Sequence, residues 1–338
     1  MFKLSSFLVL VSLLSACQPG LDSVPEALET SSLDWSEASL PHPAQVAQPV
    51  RETTDLHEAV VKIQFEDSDV EGSGFIVHPH GYILTNMHVI KNQNTPLVSF
   101  DKGNERYRAK ILSRNQCDDL ALLKLDSSDG TDYPYLATHR REFGLGDRVT
   151  LLGFPLGTKD ITLSQGVVSK TRDQHVQSQT GLEHVFETDG FLGSGSSGGP
   201  VVNENLEVVG VSVAFTQDKQ SVIPWSTVAE SLPQMLQNPF VHGWGFLADT
   251  QDGEYVVREV VGGSPADKLG LRPADEILEV EGVALAEQPA QQFCRTVRES
   301  HLRDTPEVQV ERSGYLLIGQ LGRRPLRYIR ELSARLFP

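Results

Sequence analysis

The sequence holds little that could staple or metallate a fold. It has three cysteines among 338 residues, no Cys-x-x-Cys pair and no Cys/His spacing suited to a structural metal. Positive charge is also scarce: 29 lysines and arginines stand against 45 acidic residues, a formal charge of −16. Binding phosphate needs a cationic face, so this balance argues against a nucleic-acid partner. No apolar run is long enough for a comfortable transmembrane helix; the first, Phe7 to Leu14, is too short for one.

That run does belong to a secretory signal over residues 1–16, with Lys3 before it and small residues after it. Its ending, Leu14-Ser15-Ala16-Cys17, resembles the bacterial lipobox. The resemblance implies lipid on Cys17 and attachment to a membrane without spanning it. Gln18 in place of Asp implies delivery to the outer membrane, facing the periplasm. Cys117 and Cys294 then remain. They fall in different predicted domains, so they are read as small buried hydrophobes and not as a bridge.

Residues 17–54 carry Pro19, Pro25, Pro41, Pro43 and Pro49 with no apolar periodicity, the composition of a flexible tether with Trp35 as its one large apolar group. From 55 to 238 the text is short β-like runs broken by turns, predicting an all-β barrel or sandwich. "IPWSTVAESLPQML" has helical spacing and predicts a closing helix. Residues 239–320 mix strands with a helix near 287–300, a small α+β module. In the basic tail, 321–338, Leu326, Ile329, Leu332 and Leu336 fall near one helical face among five arginines. This predicts a terminal helix packed on its own domain, the other reading being a helix that meets a membrane or a partner.

"GFLGSGSSGGPVV", residues 190–202, is the segment that points to chemistry. Its glycines allow a tight turn on which backbone N–H groups near Gly195, Ser196 and Ser197 converge, an oxyanion hole with a hydroxyl at its rim. Upstream, "GYILTNMHVI" puts His88 at the end of one apolar strand, and "CDDLALLKL" puts Asp118 and Asp119 at the start of another. A histidine suits general-base work, and a buried carboxylate fixes its tautomer.

Together these segments resemble the HtrA (Deg) family of serine proteases, in "GSGFIVHPHGYILTNMHVI", "DLALLKL" and "TDGFLGSGSSGGPV". The resemblance implies a mainly β fold: a chymotrypsin-like double β-barrel followed by a small α+β PDZ domain. His88 becomes the base, Asp119 the orienting acid, Asp118 a bystander and Ser197 the nucleophile. By family position Ser221, Val222 and Ile223 line the specificity pocket, which is expected to be apolar because no acidic residue stands there; Phe191 would narrow it. Trp244, Gly245 and Phe246 of "GWGF" match the loop that receives a peptide's C-terminal carboxylate. The usual Asn-Pro of the nucleophile loop is Gly193-Ser194 here, which adds freedom to the resting loop.

These features imply an envelope endopeptidase acting on misfolded or extended polypeptides, with no cofactor and no metal, and C-terminal peptides as partners of the PDZ domain. Family precedent adds a homotrimer. Two other readings remain: a silent peptide-binding chaperone or stress sensor, and a regulatory protease with one dedicated membrane-protein substrate. His78 and His80 sit in a turn without an obvious third ligand, and His139, His175 and His184 in predicted loops receive no role.

Overall fold

Apolar strands of alternating direction close on themselves twice in the first two-thirds of the chain. The computed structural model describes residues 48–332, apart from 67, 91–92, 94, 102–104, 127–131, 140–142, 172–181, 183, 216–218, 242–243, 287 and 300–305. Cys17, expected to carry lipid, and most of the tether, Trp35 included, lie outside the described residues.

The first barrel is formed by β1 (Val60–Phe65), β2 (Ser68–His78), β3 (Tyr82–Asn86), β4 (Leu97–Phe100), β5 (Tyr107–Asn115) and β6 (Leu120–Leu125), closing in the order β1-β2-β3-β6-β5-β4. The second uses β7 (Arg148–Gly153), β8 (Thr162–Thr171), β9 (Phe186–Thr188), β10 (Pro200–Val202), β11 (Val208–Phe215) and β12 (Gln220–Pro224), in the order β10-β11-β12-β9-β8-β7. Each barrel has its own apolar interior. A third cluster, including Phe75, Leu84, Leu122, Leu152, Phe154 and Val211, draws on both barrels and glues them together. Removing so much apolar surface from water is what holds the pair face to face.

Helix α1 (Trp225–Gln237) follows and buries Val228, Leu232 and Met235 against that shared cluster. The chain then runs along β5: Arg114 N–H donates to Pro239 O (3.1 Å) and Val241 N–H to Arg114 O (3.1 Å). Next come β13 (Phe246–Gln251), β14 (Glu254–Val260), α2 (Pro265–Leu269), β15 (Glu276–Val280), β16 (Val283–Ala284), α3 (Pro289–Glu299), β17 (Glu307–Arg312), β18 (Tyr315–Gln320) and β19 (Arg324–Glu331). They make a seven-stranded sheet ordered β13-β14-β15-β17-β18-β19, with β16 beside β15. The architecture is thus two β-barrels and a small α+β domain.

Two expectations are corrected here. Where helical spacing predicts a terminal helix, residues 324–331 form strand β19, paired with β18 from Gln320↔Arg324 to Tyr315↔Glu331. Pro325 has no amide for a helical ladder, and Gly319 lets the strands approach closely: a Cβ there would lie 3.0 Å from Arg324 O and Leu326 N of β19. Leu326 packs on the sheet's core as a strand residue. Residues 333–338 lie outside the described residues. The second correction is that Cys117 and Cys294 form a disulfide, with Cα atoms 5.4 Å apart. Both residues are completely buried, as expected, but the two predicted domains meet at this point.

Candidate active site

The turn between β5 and β6 delivers Asp119 to the end of β3. Asp119 has a left-handed backbone (φ 50°) and is 1% exposed. Its carbonyl accepts from Met87 N–H (3.1 Å) and Asn86 Nδ2 (2.9 Å), which locks the turn onto the segment that bears His88. The carboxylate meets His88 twice: Oδ1 accepts from the His88 backbone N–H (2.9 Å), and Oδ2 lies 2.7 Å from Nδ1. An imidazole held this way keeps its proton on Nδ1.

Asp118, expected as a bystander to that contact, has partners of its own. It accepts from Asn115 Nδ2 (2.6 Å), from Arg298 Nη2 (2.6 Å) and from the Ser231 hydroxyl, so α1 and α3 both grip the residue before Asp119. No local pattern in the sequence could have found the partners at 231 and 298.

Ser197 lies in the loop before β10. Its Oγ donates to Val213 O (2.9 Å), and its own carbonyl accepts from Ser73 N–H (2.8 Å). A hydroxyl has one proton, so attack requires it to pass from the Val213 carbonyl to a base.

The peptide groups of this loop are aimed by their carbonyls. Ser194 O accepts from Leu156 N–H (2.7 Å), and Ser196 O from Gly199 N–H (3.0 Å). A trans peptide points its C=O and N–H in opposite directions, so the amides of Gly195 and Ser197 turn away from those donors. Among the described residues neither amide has an acceptor. The chain passes so close to Phe154 that a Cβ on Gly195 (φ 92°) would lie 2.7 Å from its carbonyl oxygen.

The oxyanion assignment of Ser196 is corrected. Its amide and its hydroxyl both donate to Gly193 O, at 3.3 and 2.7 Å, and pin the turn shut. Ser73, quoted in "GSGF" but given no role there, is the other brace. Its Oγ donates to Gly195 O (2.8 Å) and accepts from Phe154 N–H (2.9 Å).

The expected specificity pocket also changes. Ser221, Val222 and Ile223 are consecutive in β12, so they alternate between its faces. Val222 is completely buried in the second barrel beside Leu192, and Ile223 in the cluster between the barrels. The three therefore cannot line one open pocket. Phe191 is 37% exposed and its N–H donates to Ser164 Oγ (3.0 Å).

In the third domain Trp244 and Phe246 are buried and pack edge-on against Phe293 of α3, with centroids 5.2 and 5.6 Å away. Trp244 O and Gly245 O are taken by Ala266 N–H (2.6 Å) and Val261 N–H (2.9 Å). A cavity of about 30 Å³ beside them is lined by Arg114, Trp244, Gly245, Phe246 and Phe293. Gly243 lies outside the described residues.

The His78 and His80 rings lie tilted with centroids 4.8 Å apart, and His80 lies 3.2 Å from Asp132. Burial, then the neighbouring His80, hold the His78 imidazole below its ordinary value. Among the described residues no group of three His, Cys, Asp or Glu side chains could hold a metal ion. His139 bonds Glu207 (2.8 Å); His175 lies outside the described residues.

Residues 72–211 match the family described as trypsin-like peptidase domain, and residues 256–312 match the PDZ domain family. A "probable periplasmic serine endoprotease DegP-like" of Chlamydia pneumoniae is 31% identical over 63% of this chain and 47% of its own. "Serine endoprotease DegS" of Haemophilus influenzae is 28% identical over 64% of this chain and 67% of its own. The chain spans about half the length of most of the DegP-like relatives it matches. A crystal structure of a serine endoprotease from Yersinia pestis superposes with a TM-score of 0.50 at 24% identity, covering 81% of this chain and 95% of that one. That likeness speaks to the fold.

Proposed function

We propose that the protein is a serine endopeptidase in which Ser197 attacks, His88 moves the proton and Asp119 holds the imidazole. The observation that carries the reading is the 2.7 Å contact between His88 Nδ1 and the buried Asp119 carboxylate. His88 Nε2 takes the Ser197 proton as Oγ bonds to the substrate carbonyl carbon, then gives it to the leaving amine. Water repeats the cycle to release the acyl group. The Gly195 and Ser197 amides receive the oxyanion, where fixed donors act most strongly.

Substrates on this reading are exposed, extended polypeptide segments, and the PDZ domain reads peptide termini. The signal-like leader, the lipobox-like Cys17 and the relatives named periplasmic support an enzyme held by lipid in the bacterial envelope. Ser197→Ala should lower cleavage of unfolded casein by about 10⁶. Equal rates in variant and wild type would end this reading. The bond from Ser197 to Val213 favours one rival, a peptide-binding protein that does not cut, for which casein stays intact in wild type as well.

A further inference from the structure

Strand β13 ends the seven-stranded sheet, with β14 on one side. Its other side faces the segment that leads from β5 to Asp119. There the Gln116 carboxamide takes both backbone groups of Ala248: Oε1 accepts from its N–H (3.3 Å), and Nε2 donates to its C=O (3.1 Å) and to the buried Tyr255 hydroxyl. Cys117 is bridged to Cys294 of α3. Arg298, one turn further along α3, donates to Cys117 O (3.1 Å) and Asp118 (2.6 Å). Arg114 lines the small cavity beside Trp244 and Phe246. Residues 114–118 thus lie between the sheet edge and the helix.

We propose that this chain's own 114–118 segment is the occupant of its PDZ docking groove, and that the Cys117–Cys294 bridge locks it there. The inference rests on the reading of the PDZ domain as a peptide binder. An incoming peptide docks on such an edge by adding as a strand and bonding its backbone N–H and C=O. A primary amide carries the same donor and acceptor, and here it already satisfies both at Ala248. Gln116 must therefore leave before a peptide strand can pair at that position. Its neighbour is covalently fixed, so the inner ligand stays at high effective concentration and outcompetes free peptide.

Unlocking needs a dithiol. One of its thiolates attacks a sulfur of the bridge, its second thiol resolves the mixed disulfide, and Cys117 and Cys294 leave as thiols with the reductant's two electrons. Peptide entry would then displace the residues immediately before Asp119, joining groove to active site.

The test is fluorescence anisotropy of the full chain with a fluorescein-labelled decapeptide ending in Leu-Val with a free carboxylate, and its amidated twin as control. Wild type should bind at least about tenfold more weakly than Cys117→Ser/Cys294→Ser, and reduction with dithiothreitol should narrow the gap. Equal binding by the two, or no binding by either, overturns the proposal. Should the double variant fail to fold, hydrogen exchange of the Ala248 amide in wild type decides. No slowing under excess peptide, together with faster exchange in Gln116→Gly, supports an occupied groove; slowing in wild type refutes it. Casein cleavage, read in parallel, reports the active site separately, so either reading can fail alone.

Discussion

Ser73→Ala deletes a single oxygen that braces the candidate oxyanion loop from another barrel. Ser73 is completely buried, and its hydroxyl both donates to Gly195 O and accepts from Phe154 N–H. Removal strands the buried Phe154 amide and the half-buried Gly195 carbonyl. Each costs about 1–3 kcal/mol when left unsatisfied, which sets an expected loss of about 2–6 kcal/mol in urea unfolding. The kinetic effect follows a different path. With its carbonyl released, the peptide after Gly195 can rotate, and the loop carrying the Gly195 and Ser197 amides loses its set. Loss of one oxyanion donor lowers kcat by about 10²–10³, so kcat should fall toward that range while KM holds, because the donors act on the transition state. The assay is peptide hydrolysis beside equilibrium unfolding. Unchanged kcat with reduced stability would refute the bracing argument; unchanged stability would refute the burial argument too.

Asp119→Asn leaves the loop geometry in place but lets the imidazole take the wrong tautomer, and kcat should fall by about 10⁴ in the same assay. Cys117→Ser/Cys294→Ser opens a loop with a sequence separation of 177 residues. Chain entropy puts its stabilisation at about 5 kcal/mol, to be checked as a lower urea midpoint; an unshifted midpoint would mean that docking alone holds the domains. Glu207 accepts from Asn203 (2.7 Å) and contacts His139 (2.8 Å), and these bonds, the one from Asn203 first, hold its carboxyl below the ordinary glutamate value. A depressed folded pKa contributes stability above the unfolded value that is lost as pH falls through the folded one. Thermal melting should therefore show less acid sensitivity in Glu207→Gln than in wild type, and identical acid limbs would refute this.

What was legible in the sequence was what repeats locally. The strand rhythm from "AVVKIQF" to "VVGVSVAF", the helix after Ile223 and the helix near 287–300 follow from spacing within a few residues, and the structure builds each of them. His88, the Asp118-Asp119 pair and the Ser196-Ser197 pair stood out in short runs of distinctive type, and the family resemblance chose Asp119 and Ser197 from the pairs. The braces were illegible because they depend on contacts that no local spacing records. Ser73 meets Gly195 across 122 residues, Arg298 meets Asp118 across 180, and Cys117 meets Cys294 across 177. Domain separation argued against that last pair until the docking of one domain on the other was known. The tail misled for another reason: Leu326 and Ile329 are three apart, a spacing that suits a helix, while Pro325 and pairing to β18 decide for a strand.

The most direct measurement is labelling of the purified, folded protein with a fluorophosphonate, followed by peptide mapping. A hydroxyl activated by His88 should give one adduct, on Ser197, lost in His88→Ala. Labelling elsewhere, or equal labelling of Ser197 in both proteins, would contradict the account.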